Sequence, residues 1–205
     1  VNFMLYFFGL LAVFVFSATG VLAASKKRVD LVSVLLTGMI TALGGGTLRD
    51  LLIGQPVFWL VDETYLWVAL LGSLVTFLSE PSMRKRYHWV LYLDGLGIAL
   101  FAVQAIDKVQ GVGYSAVVAV LMSVITAIMG GVMRDVMTGH TTLLSTKELY
   151  ATPVLVGSIC YVILKETSLP PGLPAAIGFF VVAVFRFIAI RFNISYPERF
   201  MIGPR

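Results

Sequence analysis

The sequence predicts an all-α integral membrane protein: seven transmembrane helices, arranged as two inverted three-helix repeats followed by a seventh helix. Three observations predict it. Hydrophobic residues make up 59% of the 205 and charged residues only 13%, with a mean hydropathy of +0.93. A chain of 22.4 kDa has too little interior to hide that much apolar surface from water. The charges fall in short blocks between apolar runs long enough to cross about 30 Å of hydrocarbon. Finally, Val32–Glu80 aligns without a gap on Val117–Lys165, an offset of 85 residues. This composition excludes a cytosolic globular enzyme, a disordered chain and a nucleic-acid binder. Most of the 15 Lys and Arg behind the pI of 9.3 fall in short blocks between apolar runs, not on a polyanion-binding face.

The elements follow in order. Val1 to Ser25 carries no charge and reads as the first span. A signal peptide is the competing reading, because Val21-Leu22-Ala23 resembles a cleavage site; the missing basic n-region and the length of the run argue against it. The later spans are Leu31–Ile53, Thr64–Ser79, Trp89–Ile106, Val109–Met137, Leu149–Leu164 and Pro174–Ile190. Residues 1–205 thus form a single transmembrane domain. Within it, 1–80 is the first repeat, 86–165 the second, and 166–205 the seventh helix with a cytoplasmic tail. The lone cysteine, Cys160, excludes a disulfide framework and reads as a small buried side chain.

Loop charges set the orientation. Lys26, Lys27 and Arg28, then Arg84, Lys85 and Arg86, then Arg191, Arg199 and Arg205 all fall on one side, joined by Lys147. The other side holds only Lys108 and Lys165, with Asp62, Glu63, Asp107 and Glu166. Ten cations against two place the C-terminus in the cytoplasm and the N-terminus outside.

Fifteen of the 49 aligned repeat positions are identical. The strongest block sets Ile40–Asp50 against Ile125–Asp135. Beyond it Gly54 meets Gly139, Glu63 meets Glu148, Tyr65 meets Tyr150, and Gly72-Ser73 meets Gly157-Ser158. The first helices match weakly, through Leu11 with Leu96 and Phe16 with Phe101. An odd number of spans per unit requires the second copy to be inverted, the common plan of membrane transport proteins.

Gly44, Gly45 and Gly46 come about 14 residues, or roughly 21 Å, into the second span, and Arg49 and Asp50 follow at once. The fifth span repeats this with Gly130-Gly131 and then Arg134-Asp135. The expectation is a glycine break that frees backbone carbonyls for a cation, with each aspartate in the first turn of a second half-helix. Small-residue helix packing is the alternative, and it needs no charges. Arg49 and Arg134 are expected to pair across the repeats, Arg49 with Asp135 and Arg134 with Asp50. Whether these residues line a pore or clamp the halves together stays open.

Asp94 lies within the fourth span and calls for polar partners. Arg186, one turn from the end of the seventh, is placed to snorkel. His88 and His140 read as solvated loop residues, and Tyr65, Tyr150, Trp59, Trp67 and Trp89 as interface anchors. No paired-histidine metal motif, nucleophile elbow or acid–histidine cluster supports an enzyme. Gly44–Arg49 lacks the Lys-Ser/Thr of a phosphate loop. No cofactor and no metal site is expected.

The blocks GGGTLRD and GGVMRD, PVFW at Pro56–Trp59 and TKELYATP at Thr146–Pro153 resemble the bacterial inner-membrane family labelled putative glycine transporters. That family is similar to the prokaryotic trimeric intracellular cation (TRIC) channels. The resemblance covers nearly the whole chain. It implies seven membrane helices, a homotrimer in contact with membrane lipids, and a monovalent cation pore in each protomer lined by kinked second and fifth helices. Met129 stands where the first motif has Gly44, so the two kinks need not be equal. Two functions follow: a potassium-type channel, or a secondary transporter of glycine or another small solute. Glycine's ammonium would then meet Asp50 or Asp135.

Overall fold

The computed structural model describes residues 3–25, 29–83 and 88–197. Over these the chain is all-helical. It runs as α1 (Phe3–Ala24), α2 (Leu31–Leu52), α3 (Phe58–Val61), α4 (Thr64–Met83), α5 (His88–Gly111), α6 (Ala116–Thr138), a 3-10 turn (Leu143–Ser145), α7 (Ala151–Lys165) and α8 (Leu173–Arg191). Five stretches are long and apolar enough to cross a membrane: Tyr6–Ala24, Leu31–Leu52, Trp89–Gly111, Ala116–Thr138 and Leu173–Arg191. Thr64–Ser79 and Ala151–Lys165 are shorter apolar helices. The basic blocks at 26–28 and 84–86, with Arg199 and Arg205, lie outside the described residues.

Two short elements escape the hydropathy pattern, α3 and the 3-10 turn. Each follows an Arg-Asp pair by eight residues. The boundary expected between Ile106 and Val109 is also displaced. Asp107 and Lys108 look like loop charges but belong to the last turns of α5, each held by an ion pair to another helix. The turn comes later, at Gly113 (φ +100°), and Ser115 then caps α6.

Other helix ends follow local chemistry. Asp30 caps α2, accepting from the Ser33 backbone N–H at 3.0 Å and its hydroxyl at 2.6 Å. The hydroxyl first, and then the amide, hold its carboxyl below the usual range. Gly139 ends α6 in the left-handed region at φ 63°, and its repeat mate Gly54 has φ 65°. Gly139→Ala is expected to cost about 1–2 kcal/mol, read as a lower unfolding midpoint in detergent.

The expected glycine breaks are absent. α2 runs uninterrupted through Gly44–Gly46 and α6 through Gly130-Gly131. The glycines serve close approach instead. A methyl on Gly45 would fall on the Thr126 carbonyl oxygen, and one on Gly130 would fall on the Thr41 carbonyl oxygen. Thr41 and Thr126 are repeat mates, as are Gly45 and Gly130. The two contacts therefore mirror each other, with rising numbers on α2 meeting falling numbers on α6. Cross-helix packing fills the place that solvation of a broken ladder would need.

Around this crossing α1 packs on α2, α4 and α5, α5 on α6 and α8, and α7 on α8. Phe16 and Phe101, also repeat mates, meet at 5.3 Å between ring centroids in a core with Ala12, Val13 and Ile98. Ser123 and Ser158 join α6 to α7 at 2.7 Å. Cys160 is partly exposed on α7 rather than buried.

Candidate functional site

The α2–α6 crossing carries two buried Arg-Asp pairs, and each pair closes on itself. Arg49 Nε donates to Asp50 Oδ1 at 2.8 Å, and Arg134 Nε to Asp135 Oδ1 at 2.9 Å. The expected pairing across the repeats does not occur. The flexible arginine stem wraps round to its neighbour, whose second carboxylate oxygen is tied down eight residues on. Asp50 Oδ2 accepts from the Phe58 backbone N–H at 2.8 Å, and Asp135 Oδ2 from that of Leu143 at 3.1 Å. These bonds position α3 and the 3-10 turn. They also place both aspartates near the C-terminal ends of continuous helices, where the dipole disfavours a carboxylate. Adjacent cations and donated N–H groups offset that cost.

From there the clusters differ. At Arg49 a second cation arrives: Lys108 Nζ meets Asp50 Oδ2 at 2.8 Å. The Phe58 ring lies 5.7 Å from the Arg49 guanidinium and 5.9 Å from the Lys108 ammonium, within cation–π range. Arg49 Nη1 is buried with no hydrogen-bond partner among the described residues. At Arg134 a second carboxylate arrives instead. Arg134 Nη1 donates to Asp94 Oδ1 at 2.5 Å and to Thr19 Oγ1 at 3.2 Å. Asp94 is 0% and Arg134 1% exposed. One cluster thus holds two cations and one carboxylate, the other one guanidinium and two carboxylates. The repeat mate of Asp94 is Gly9, so the first half cannot supply the same acid.

Arg186 does not snorkel. It is fully buried, donates to the Leu149 carbonyl at 3.1 Å, lies 3.5 Å from Glu148, and stacks over the Tyr150 ring at 4.9 Å. A guanidinium one turn from a helix end stays inside because a carbonyl, a carboxylate and a ring satisfy it there. Tyr65 and Tyr150 are buried rather than interfacial. Trp67 and Trp89 are exposed, and Trp59 is held by Thr47 Oγ1 at 2.8 Å. His140 is half-buried, with Nδ1 2.8 Å from Thr138 Oγ1; His88 is the first residue of α5. Among the described residues no three His, Cys, Asp or Glu are grouped to hold a metal.

Sequence reasoning missed Lys108, Thr19 and Tyr150 as cluster members. Only Tyr150 left a signal, its repetition at Tyr65.

A family model described as Glycine transporter matches the chain twice, over residues 6–81 and 91–166. The chain belongs to that family. The two matches of the glycine transporter family are offset by 85 residues at both ends, the offset of the internal alignment. Among named relatives, the UPF0126 inner membrane protein YadS of Escherichia coli K12 is 34% identical over 197 residues, covering 95% of each chain. A UPF0126 membrane protein of Vibrio cholerae is 32% identical, over 95% of this chain and 82% of its own. Among solved structures, the TRIC trimeric intracellular cation channel orthologue from Rhodobacter sphaeroides superposes with a TM-score of 0.89 at 32% identity. It covers 93% of this chain and 99% of its own. A second TRIC cation channel structure, described for its conductance, gives 0.85 at 30% identity over 100% of both chains. This glycine transporter family member therefore has the TRIC channel fold.

Proposed function

We propose that the protein is a monovalent cation channel of potassium type, with a pore in each protomer of a homotrimer. The observation that carries the reading is the likeness, over nearly the full chain and at 30% identity or more, to structures described as TRIC cation channels. The local geometry supports it. Buried charge is expensive in a membrane helix unless paired or facing a polar path, and here two such clusters flank one helix crossing. Gly46 and Gly131 mark the face along which the path runs, beside Arg49, Asp50, Arg134, Asp135 and Asp94. Gly45 and Gly130 hold the two helices together, and Gly44 packs against the Met133 thioether.

The topology in this reading is seven spans, with α4 and α7 crossing as well, in two inverted repeats. The opposed numbering at the α2–α6 crossing supports inversion, because repeats related by an axis along the membrane normal would bring equivalent helices together in parallel. In this reading the C-terminus is cytoplasmic. A reporter fused after Arg205 is then expected to be active as a cytoplasmic fusion and silent as a periplasmic one; the reverse result removes the topology.

Uptake of glycine or another small solute is the second reading, favoured by the description of the family. Unitary currents in a planar bilayer under a potassium gradient, set against labelled-glycine uptake into liposomes, decide between them. Saturable glycine uptake without unitary currents would overturn the channel.

A further inference from the structure

α8 stands outside the repeat, and its polar contacts with earlier helices converge on one segment, the approach to α7. Arg186 donates to the Leu149 carbonyl, lies beside Glu148 and stacks over the Tyr150 ring. Past Arg191 the chain turns back. Asn193 adopts the left-handed region at φ 49°, and its N–H donates to the Ile190 carbonyl at 3.4 Å. The Ile194 N–H donates to the Ala189 carbonyl at 2.9 Å. This pair of bonds ends a helix in a reversal, here with asparagine where glycine is usual. The reversal lays residues 194–197 against the same segment. Ser195 pairs with Glu148 in an antiparallel bridge, and the Tyr196 N–H donates to the Lys147 carbonyl at 3.1 Å. The Tyr196 and Thr152 hydroxyls bond beside them.

The tail and what it holds differ in burial. Ile194 and Tyr196 are 37% and 38% exposed, whereas Tyr150 is 2% exposed. Exposed hydrogen bonds with little apolar area behind them open at low cost, so the tail releases before anything beneath it. Beneath it the Tyr150 hydroxyl packs on Gly131, next to Asp94 and Arg134. That is the face assigned to the path, and the tyrosine fills it as the Phe58 ring fills the space at Gly46. The first half ties its equivalent segment differently: Tyr6 on α1 donates to Asp62 at 2.8 Å. The mate of Tyr6 is Leu91, which has no hydroxyl to give. In the second half the tie comes from outside the repeat, through Arg186 and the tail.

We propose that residues 194–197 are a releasable strap. Bound, they keep Tyr150 seated on Gly131 and the path shut at that end. Released, they let residues 146–150 lift Tyr150 away, with Arg186 as the remaining tie. This names the regulation of the same site and rests on the channel reading for what moves along the path.

Two variants in a Cys160→Ser background bracket the strap. Tyr196→Pro with Thr152→Val removes the backbone donor and the hydroxyl pair. Glu148→Cys with Ser195→Cys makes the strap permanent on oxidation. Their neighbours carry the bond, so these two form a non-hydrogen-bonded pair with Cα atoms about 4.5 Å apart, within the span of a disulfide. Hydrogen exchange at residues 146–150 in detergent reads the segment, and unitary potassium currents in a bilayer read the path. The first variant is expected to speed exchange and raise open probability about tenfold, the shift that two exposed hydrogen bonds supply. The oxidised second variant is expected to slow exchange and silence the current until it is reduced, the reduced form controlling for the lost Glu148 carboxylate. Exchange unchanged in both variants, or changed exchange with unchanged open probability, overturns the strap. Silence from every protein, the parent included, fails the channel reading instead. Labelled-glycine uptake then reads the path, and uptake indifferent to both variants overturns the strap as well.

Discussion

Arg134→Ala is expected to destabilise the protein by about 3–5 kcal/mol, because it strands two buried carboxylates at once. Asp94 loses the guanidinium that takes its Oδ1, and among the described residues Asp135 keeps only the Leu143 N–H. Adding Asp94→Ala should recover part of the loss, since one stranded charge then disappears. Adding Asp50→Ala should recover none, because Asp50 belongs to the other cluster and the two losses should sum. Arg49→Ala is expected to cost less than Arg134→Ala, as Asp50 keeps both Lys108 and the Phe58 N–H. Chemical unfolding in mild detergent reads all four. Recovery by Asp50→Ala rather than Asp94→Ala would restore pairing across the repeats.

Gly45→Ala with Gly130→Ala is the second large effect, expected to cost roughly 4 kcal/mol in total. Alanine improves helix propensity by about 1 kcal/mol per position. Against that, each methyl lands on a backbone carbonyl of the facing helix, which cannot rotate aside as a side chain can. Forcing the helices apart costs about 3 kcal/mol per site at the upper end of overpacking, so the losses win. Gly44→Ala supplies the contrast within one run of three glycines. Its methyl meets only the Met133 thioether, the end of a flexible side chain. Gly44→Ala is therefore expected to hold or slightly raise the unfolding midpoint. Equal tolerance at positions 44 and 45 would show that the close approach is not what the run is for.

The sequence announced the membrane class, the helices and the repeat because each rests on patterns that run along the chain. Hydropathy needs only neighbours, and the 85-residue offset needs only the chain compared with itself. The charged residues of the site were found for the same reason, since an ion in an apolar run is conspicuous. What they touch was not. Arg49 and Asp50 point about 100° apart on a bare helical wheel, and bonds donated to Asp50 by the Phe58 N–H and the Lys108 ammonium hold the carboxylate where the guanidinium reaches it. Lys108 was misplaced because a cation at the end of an apolar run is read as loop. Its partner sits 58 residues away. The glycine runs were misjudged for a related reason. Flexibility is a property of the residue alone, whereas close packing depends on a facing carbonyl that no local pattern reveals.

The mirrored contacts of Thr41 with Gly130 and Gly45 with Thr126 have a consequence for ancestry. A contact that maps onto itself under a half-turn is one that two copies of a single short chain can make with each other. In such a pair every substitution strikes twice, so a methyl at the glycine would spoil both contacts together. Joining the copies end to end releases that constraint, and each half can then drift alone. Gly9 against Asp94, Phe58 against Leu143 and Gly44 against Met129 are differences of that kind. The mirrored contacts survive these differences, while the substitutions around them leave the two Arg-Asp clusters with opposite surplus charge.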